Sequence, residues 1–184
     1  MASAYERKKE PALVRRRLLE HGARLCVEHG VAGLSLQAVA DTAGVTKGGL
    51  LHHFPTKQAL VDAIFDELLQ SFEGRVRQLM DADPERFGRF TRAYINATLE
   101  LLGGEEVVQW SALMMSSVTE PRLKQRWADW LDGQLKQNKQ TDSAPALELA
   151  RHAADGIWLA ALLGQGAPPS KALRQALLGL TRKS

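Results

Sequence analysis

The stretch AGVTKGGLLHHFPTK, from Ala43 to Lys57, decides the fold of this chain of 184 residues. It carries two adjacent glycines and two adjacent histidines between segments whose apolar residues recur at helical spacing. A glycine inside a helix costs about 1 kcal/mol relative to alanine. A helix that keeps two glycines side by side therefore needs them for something other than its own stability.

Two short helices are predicted around this stretch. Ser35 is a suitable N-cap for a helix over residues 36–42, and Thr46 is one for a second helix that ends at His53. Gly44 permits the tight turn between the two helices. This is the helix-turn-helix pattern, in which the second helix enters the major groove of DNA and its first residues meet base edges and phosphates.

The two glycines fit that role. Gly48 and Gly49 have no side chain, so the helix backbone can approach DNA closely and its exposed amides can hold phosphate oxygens. Lys47 and His52 can add side-chain contacts on the same exposed side, while Leu50 faces the core. We therefore interpret the glycines as residues that exchange helix stability for close contact with DNA.

Other interpretations of the stretch are weaker. A phosphate-binding nucleotide loop requires a GxxxxGK[ST] pattern after a strand, and neither is present. A metal site is not supported by His52 and His53, because adjacent helical residues point about 100° apart, and no cluster of carboxylates or cysteines completes the set. The sequence therefore predicts no metal and no cofactor.

The helix-turn-helix residues also match a known family. At fixed spacings the chain resembles the DNA-binding head of the TetR family of bacterial transcriptional regulators, and the resemblance covers about residues 12–65. Beyond residue 65 the likeness is one of helix number and length only. The matching positions are Leu18-Leu19, Leu25, Gly30, Leu34-Ser35, Ala40, Ala43-Gly44-Val45-Thr46, Leu50, His53-Phe54, Lys57 and Leu60.

The resemblance implies particular DNA contacts. Ser35 matches a capping position that touches a phosphate, and Gln37 matches one that can read bases beside the recognition helix. The start of the recognition helix corresponds to Thr46, Lys47, Gly48 and Gly49. Lys57 matches a lysine that contacts the phosphate backbone from the start of the connecting helix.

Two positions depart from the family pattern. Many members have a tyrosine at the position of Leu51, where it contacts a phosphate, and leucine cannot make that contact. His52 beside it is a candidate substitute. The aromatic residue often found in the first helix is here Cys26.

The rest of the chain predicts helices and no strand, because no segment alternates apolar and polar residues. Pro11 and Gly30 bracket the first helix. The fold class predicted is all-α with about nine helices, in which a three-helix head is joined by a long helix to a C-terminal bundle. We expect a DNA-binding domain over residues 10–56 and a ligand-binding and dimerisation domain over residues 57–184. The later helices are predicted at about 57–80, 84–102, 105–118, 120–138, 144–163 and 170–180.

Charge and composition point the same way. Residues 1–57 hold nine Lys and Arg against five Asp and Glu, whereas the remainder is nearly neutral. Such a basic head suits a polyanion partner. Residues 1–9 lack the apolar run of a signal peptide, and the longest apolar stretch, residues 157–163, is too short to cross a bilayer. With a single cysteine, the chain is expected to be a soluble cytoplasmic protein without disulfides or a membrane partner.

The body is expected to dimerise and to bind an effector. The resemblance implies a homodimer through the last two large helices, about residues 144–163 and 170–181, and the apolar run over residues 156–164 supports burial there. Two-fold symmetry implies a palindromic operator. Candidate residues for a pocket that takes an apolar or amphipathic small molecule of unknown identity are Phe65, Leu69, Tyr94, Trp110, Met114, Trp127 and Trp158. The alternative that these side chains only fill an ordinary core stays open.

The sequence can be interpreted as one of three functions. The first is a sequence-specific DNA-binding transcriptional regulator, a repressor that binds a palindromic operator as a dimer and is released by a small molecule. The second is a constitutive architectural DNA-binding protein without an inducer. The third is an all-α enzyme, which lacks a nucleophile with an arranged base, and whose candidate carboxylates Asp62, Asp66 and Glu67 resemble a solvated helix face. We therefore expect no catalytic residue.

Overall fold

A computed structural model describes residues 4–103, 107–164 and 169–182, with side chains described from Pro11 onward except at position 107. These ranges contain helices and no strand, so the all-α prediction is confirmed. No helix within them is long and apolar enough to cross a membrane. The helices are α1 (Ala4–Gly33), α2 (Leu36–Ala43), α3 (Lys47–His53), α4 (Lys57–Ala82), α5 (Arg89–Leu101), α6 (Val107–Ser117), α7 (Pro121–Gln137), α8 (Lys139–Asp142), α9 (Pro145–Leu162) and α10 (Lys171–Gly179).

The first helix differs from the prediction at its start. It begins at Ala4 and continues through Pro11, so the predicted start at Pro11 was wrong. A proline inside a helix removes one backbone hydrogen bond, and α1 continues on both sides of it. At Gly30 the helix breaks as expected, because this residue has φ 69° and ψ 164°, outside the helical region.

The start of α5 was also predicted wrongly, since the helix begins at Arg89 and not near residue 84. Asp83 accepts a hydrogen bond from the Glu85 amide at 2.9 Å, which favours a turn there. Arg92 then donates to the carbonyl oxygens of Glu85 and Phe87 at 2.5 and 2.7 Å. The Glu85 and Phe87 carbonyl groups thus lie outside any helix and are bound by a side chain of α5.

The helices differ from the prediction at two further places. The short α8 was not predicted, and it raises the number of helices in the described ranges from about nine to ten. The first residues of the helix predicted to begin at Glu105 lie outside the described residues, and α6 is described from Val107.

The chain forms two compact units, Met1–Leu68 with Val108–Lys124, and Leu69–Val107 with Gln125–Ser184. The core of the first unit holds fully buried leucines from α1, α3 and α4, namely Leu18, Leu50 and Leu60. Gly22 lets α1 lie against α4, because a Cβ at this glycine would be only 2.9 Å from the Ile64 Cδ1 atom. The first unit therefore supports α2 and α3 on a tightly packed pair of longer helices.

The second unit is built on the packing of α5 against α9. Its apolar core contains Ile95, Leu99, Ala150, Ala154 and Leu177. A buried polar network lies within the same unit: the Thr91 hydroxyl donates to Asp142 Oδ1 at 2.7 Å, and Arg151 donates to the Thr91 Oγ1 at 2.6 Å. Because each buried polar group has a partner, this network does not leave a charge unpaired.

Candidate DNA-binding surface and effector site

The turn between α2 and α3 has the geometry that Gly44 was predicted to allow. Gly44 has φ 67° and ψ 37°, the left-handed conformation that glycine adopts at low cost. Val45 donates its amide to the Ala40 carbonyl oxygen at 3.0 Å. Arg17 Nη2 donates to the Ala43 carbonyl oxygen at 2.7 Å and so fixes the turn to α1. The prediction for Gly44 is confirmed, whereas the role of Arg17 was not anticipated.

Threonine side chains cap the two helices on either side of Pro55. Thr46 Oγ1 accepts a hydrogen bond from the Gly49 amide at 3.1 Å, and Thr56 Oγ1 accepts one from the Ala59 amide at 3.0 Å. Ser35 has the extended backbone of an N-cap, but its side chain makes no capping bond to α2. The predicted capping by Ser35 is therefore confirmed for the backbone only, and its exposed hydroxyl does not serve the helix.

The start of α3 presents an exposed surface. Thr46, Lys47, Gly48 and His52 are exposed and Gly49 is half-buried, while Leu50 is fully buried as predicted. Apart from its chain neighbours and the backbone of its own helix, a Cβ built at Gly48 would have no heavy atom within 4 Å. Packing within the chain thus does not require glycine at this position.

Gln37 and Lys57 both have partners within the protein. Gln37 Nε2 donates to Asp41 Oδ1 at 2.8 Å, one helical turn along α2. Lys57 Nζ donates to the Ala32 carbonyl oxygen at 2.6 Å. An ammonium has three donors, so this bond leaves Lys57 able to contact a phosphate as well.

Behind this surface lies the one cysteine of the sequence. Cys26 is 1% exposed, as expected for a structural thiol. Burial raises the pKa of the Cys26 thiol to about 11, against a smaller opposite effect of the Lys57 charge. The thiol is therefore neutral at ordinary pH and contributes to the core as an apolar group.

A small pocket of about 40 Å³ lies within the first unit, between α1, α4 and the start of α7. Asp62 of α4 forms an ion pair there with Arg122 of α7. Asp62 is buried, so its interpretation as part of a solvated helix face was wrong. The nearby Arg122 guanidinium stabilises the Asp62 carboxylate, which burial removes from solvent. The pocket is lined by Val31, Lys57, Gln58, Val61, Asp62, Glu120, Arg122 and Leu123.

The predicted pocket residues fall into both compact units. In the first unit the buried Phe65 and Trp110 rings meet edge to face with centroids 6.4 Å apart, and Met114 of the same helix is half-buried. The second unit contains Leu69, Tyr94, Trp127 and Trp158.

Most of the aromatic side chains of the second unit form one cluster, which we call the aromatic cluster and define as Phe72, Phe90, Tyr94, Trp127 and Trp130. Its ring centroids lie between 5.0 Å, for Trp127 and Trp130, and 6.5 Å, for Tyr94 and Trp130. Trp130 was missed by the sequence analysis, although its spacing of three residues from Trp127 on a helix indicates a shared face. Both tryptophans are half-exposed, so the cluster reaches the surface of the unit.

A carboxylate and an indole N–H give this cluster its polar groups. The Tyr94 hydroxyl donates to Asp155 Oδ1 at 2.6 Å. The indole nitrogen of Trp130 is buried and has no hydrogen-bond partner within the part of the chain that the structure describes. The arrangement combines apolar surface with a few polar groups, which is typical of small-molecule sites.

Burial is the largest influence on the pKa values of Asp155 and Tyr94. It raises the pKa of the Asp155 carboxyl, against the opposing effects of the Tyr94 hydrogen bond and the His152 and Arg151 charges. Burial and then the charge of Asp155 raise the pKa of Tyr94 well above its ordinary value. Tyr94 therefore remains a neutral donor, and Asp155 is a carboxylate in unfavourable surroundings.

Within the described ranges, no group of three or more His, Cys, Asp or Glu side chains could hold a metal ion. The exposed His52 ring and the half-buried His53 ring lie edge to face with centroids 5.5 Å apart. Their contact is with each other and, for His53, with the Phe54 ring at 6.4 Å.

Two family models match the chain. The model described as bacterial regulatory proteins of the tetR family matches residues 18–64, and the tetracyclin repressor-like C-terminal domain matches residues 88–182. The resemblance that was based on residues 12–65 is thereby confirmed, and the second model extends it to the body. The long helix α4 begins within the first match and ends before the second.

Individual relatives support the same class. The HTH-type transcriptional repressor KstR2 of Mycolicibacterium smegmatis is 26% identical over 132 residues, which are 67% of this chain and 64% of that protein. The chain thus spans just under two thirds of the length of this relative. The HTH-type transcriptional regulator BetI of Paraburkholderia xenovorans is 30% identical over 177 residues, 89% of this chain and 90% of that protein.

The fold has close counterparts among solved structures. The multidrug binding protein EbrR complexed with proflavin superposes with a TM-score of 0.59 at 25% identity, covering 91% of this chain and 99% of EbrR. These proteins are named for the regulation of transcription or for drug binding, and not for catalysis.

Proposed function

The chain belongs to the TetR family of bacterial regulatory proteins, and on that premise we propose that it is a ligand-responsive repressor that binds a palindromic operator as a homodimer. The observation that carries the proposal is the exposed start of α3, where Gly48 is glycine although nothing in the chain occupies the space of its Cβ. Because packing within the chain does not require a glycine at position 48, we attribute it to the close approach of an external surface to the backbone of α3. DNA is that surface in the helix-turn-helix arrangement.

The DNA contacts proposed are of two kinds. Phosphates are held by the Ser35 hydroxyl, the Lys47 and Lys57 ammonium groups and the first amides of α3, whose N-terminus attracts anions. Base edges are read by Gln37 and by Thr46 with the backbone of Gly48 and Gly49, and His52 takes the part of the missing tyrosine at Leu51. Residues 10–56 thus bind DNA, and this action belongs in the cytoplasm, where bacterial DNA is found.

Dimerisation is supported by an exposed stripe on α9 and α10. Leu149, Leu159 and the adjoining Leu163 are 61%, 41% and 59% exposed, and with His152 and Gly156 they recur at spacings of three and four residues. Leu173 of α10 and Leu180, the residue that follows this helix, are also exposed, at 47% and 42%. An exposed apolar stripe such as that of α9 is unusual on a monomer, and a second copy of the chain would cover it with the same stripe.

The effector site is proposed within residues 57–184, at the aromatic cluster of the second unit. The cluster offers apolar rings, a surface opening at Trp127 and Trp130, and polar groups at Tyr94 and Asp155. EbrR, whose fold this chain shares, is a multidrug binding protein complexed with proflavin, which supports a small-molecule ligand here. Helices α4 and α7 contribute residues to both compact units, so a change in either helix would affect the DNA-binding unit.

The test is selection of genomic DNA fragments by the purified full-length chain at about physiological salt, followed by sequencing of the bound fragments. We expect one or a few palindromes, with half-sites separated by about one helical turn of DNA. The Gly48→Glu variant is the matched control, because its side chain has room in the protein but would meet phosphates. Enrichment of the same palindromes by that variant would contradict the proposed docking.

The architectural alternative makes the opposite prediction. A protein that only bends or covers DNA binds fragments without a shared motif, and its affinity does not change when a small molecule is bound. Binding that is uniform across fragments would therefore favour it over a repressor.

A further inference from the structure

The charge balance around the aromatic cluster points to the chemistry of the effector. Arg151 is a buried cation of the second unit whose charge acts on Asp155, but its guanidinium donates to Thr91 and to the Asp142 carbonyl oxygen, at 2.6 and 3.3 Å. Asp142 is 2% exposed and compensates the Arg151 charge. This leaves Asp155 as a carboxylate that no buried cation neutralises at contact distance.

Within the described part of the chain, Asp155 has a hydrogen bond from Tyr94 and no ion pair. A largely buried carboxylate without a paired charge is costly to keep ionised. Natural proteins retain such groups where they are used, because a ligand of opposite charge recovers the lost electrostatic energy. A cationic ligand would therefore give the Asp155 carboxylate the contact charge that the protein does not place beside it.

The aromatic rings around Asp155 also favour a positively charged ligand. The face of an indole or phenol ring carries negative electrostatic potential, and it attracts organic cations within about 6 Å of the ring centre. Trp127 and Trp130 are half-exposed and reach the surface, so a ligand can enter beside them. In the structure the rings of the cluster touch one another, and the ligand would part the two tryptophans to take its place.

We propose that the effector is a monovalent organic cation with a flat aromatic or quaternary ammonium head, held between the rings of Trp127 and Trp130 and the carboxylate of Asp155. The inference rests on the proposed function, since it gives the chemical class of the molecule that releases DNA. An anion would meet the Asp155 charge, and a neutral hydrocarbon would leave that carboxylate without an ion pair.

The test compares three probes of nearly the same shape that differ in charge. They are 1-methylquinolinium, the isosteric neutral 1-methylnaphthalene and the anionic 1-naphthoate, each titrated calorimetrically into the full-length chain without DNA. We expect the cation to bind at least about tenfold more tightly than its neutral isostere, in line with cation–π attraction at a desolvated site, and the anion to bind most weakly. Equal binding by the cation and the isostere would overturn the proposal, as would preference for the anion.

Two variants and a control connect the preference to the named residues. Asp155→Asn should lower the affinity for the cation about tenfold and leave that for 1-methylnaphthalene unchanged, because only the charge is removed. Trp130→Leu keeps the carboxylate and should weaken binding of both probes. Asp132→Asn removes an exposed carboxylate from α7 and should change neither affinity. A cation affinity that survives Asp155→Asn would contradict the role given to this residue.

A separate measurement of DNA release distinguishes the inference from the proposed function. Release of a selected operator by the cation, at concentrations that saturate the free protein, supports both. Release by the neutral isostere and not by the cation would overturn the cation site and retain the regulator. Tight binding of the cation without any change in DNA affinity would retain the site and contradict its role in regulation.

Discussion

The ammonium of Lys57, at the first residue of α4, donates a hydrogen bond of 2.6 Å to the carbonyl oxygen of Ala32 near the end of α1. This bond joins the connecting helix to the last turn of α1, just before the chain enters α2. Lys57 therefore has a structural function in addition to the phosphate contact proposed for it. Lys47, by contrast, is exposed at the start of α3.

Replacing each lysine by alanine should separate these two functions. Lys47→Ala and Lys57→Ala should each reduce the slope of log affinity against log salt by about 0.9, the effect of one phosphate contact. Lys57→Ala should also lower the free energy of unfolding by up to about 1 kcal/mol, the value of a typical hydrogen bond. DNA binding across a salt series and denaturant unfolding measure the two quantities.

The control for the lysines is Lys139→Ala, which removes an exposed lysine of α8. We expect it to change neither the salt slope nor the stability. An unaltered slope in both head variants would contradict the proposed phosphate contacts, whereas an unaltered stability of Lys57→Ala would contradict only the importance of the bond to Ala32.

Gly48→Ala should leave thermal stability unchanged or raise it, and should lower the affinity for the operator. A Cβ at this position meets no atom within 4 Å beyond its chain neighbours and its own helix backbone, and alanine is favoured over glycine in helices by about 1 kcal/mol. The melting temperature should therefore stay constant or rise. Operator affinity should fall at least tenfold, about 1.4 kcal/mol, because the added methyl group separates the helix from DNA.

Gly74→Ala is the matched substitution outside the head, since Gly74 of α4 also has open space at its Cβ. It should raise stability and leave operator affinity unchanged. If Gly48→Ala binds the operator as tightly as Gly74→Ala does, the close approach of α3 to DNA is refuted.

The ion pair between Asp62 and Arg122 should be measurable by a double-mutant cycle. Arg122 is half exposed at its side chain whereas Asp62 is largely buried, so we expect a coupling free energy of about 1 kcal/mol, at the upper end for partly exposed pairs. The variants are Asp62→Asn, Arg122→Met and the double replacement, compared by denaturant unfolding. Additive effects would mean that the pair contributes nothing.

Leu159→Glu should convert the dimer into monomers. The substitution places a charge in the exposed apolar stripe of α9, and burying an unpaired charge between two subunits costs several kcal/mol. Sedimentation velocity should report the mass of one chain, and affinity for a palindrome should fall toward that for a single half-site. Val108→Glu, at an exposed valine of α6, should remain dimeric. A dimeric Leu159→Glu protein would place the interface elsewhere.

Stability of the chain should depend on pH through Asp155. Because burial raises the folded-state pKa of this carboxyl above its ordinary value of 3.8, the folded chain binds the proton more tightly than the unfolded chain does. Stability contributed by Asp155 is therefore lost as pH rises from the ordinary value through the raised one. Asp155→Asn lacks this loss, so it should equal the unaltered protein near pH 4 and exceed it in stability at neutral pH.

Thermal unfolding of both proteins across this pH range gives the comparison. Tyr94, Arg151 and His152 are the other titratable groups that act on Asp155, and they are the same in both proteins, so their effects cancel in the difference. A difference that stays constant with pH would show that Asp155 titrates normally in the folded chain.

The head could be predicted from the sequence because local signals and the fold agree there. Gly44, Thr46 and Thr56 act through neighbours within a few residues, and such caps and turns are visible as letters in a row. The start of α5 could not be predicted, because it depends on Arg92 reaching back to carbonyl groups outside the helix. The start of this helix is thus set by side-chain contacts that the apolar periodicity of the sequence does not reveal.

In the C-terminal body, too, local spacing could be predicted from the sequence whereas contacts between distant residues could not. The tryptophans of α7 could be placed on one face by their spacing, but their contacts with Phe72 and Tyr94 join residues far apart in the chain. The ion pair of Asp62 likewise joins it to Arg122, 60 residues away. Long-range pairs of this kind carry no periodic pattern, so the charged residues of α4 could not be sorted into solvated and buried ones.

The burial of Cys26 gives the protein a built-in probe of its own motion. With a pKa of about 11 and 1% exposure, the thiol should not react with a disulfide reagent until the core of the head opens. Its labelling rate then reports the free energy of that opening. A bound operator that stabilises the closed head should slow this labelling, by a factor that grows with the operator concentration divided by its Kd. The labelling rate of this one thiol would therefore measure how much of the protein is bound to DNA.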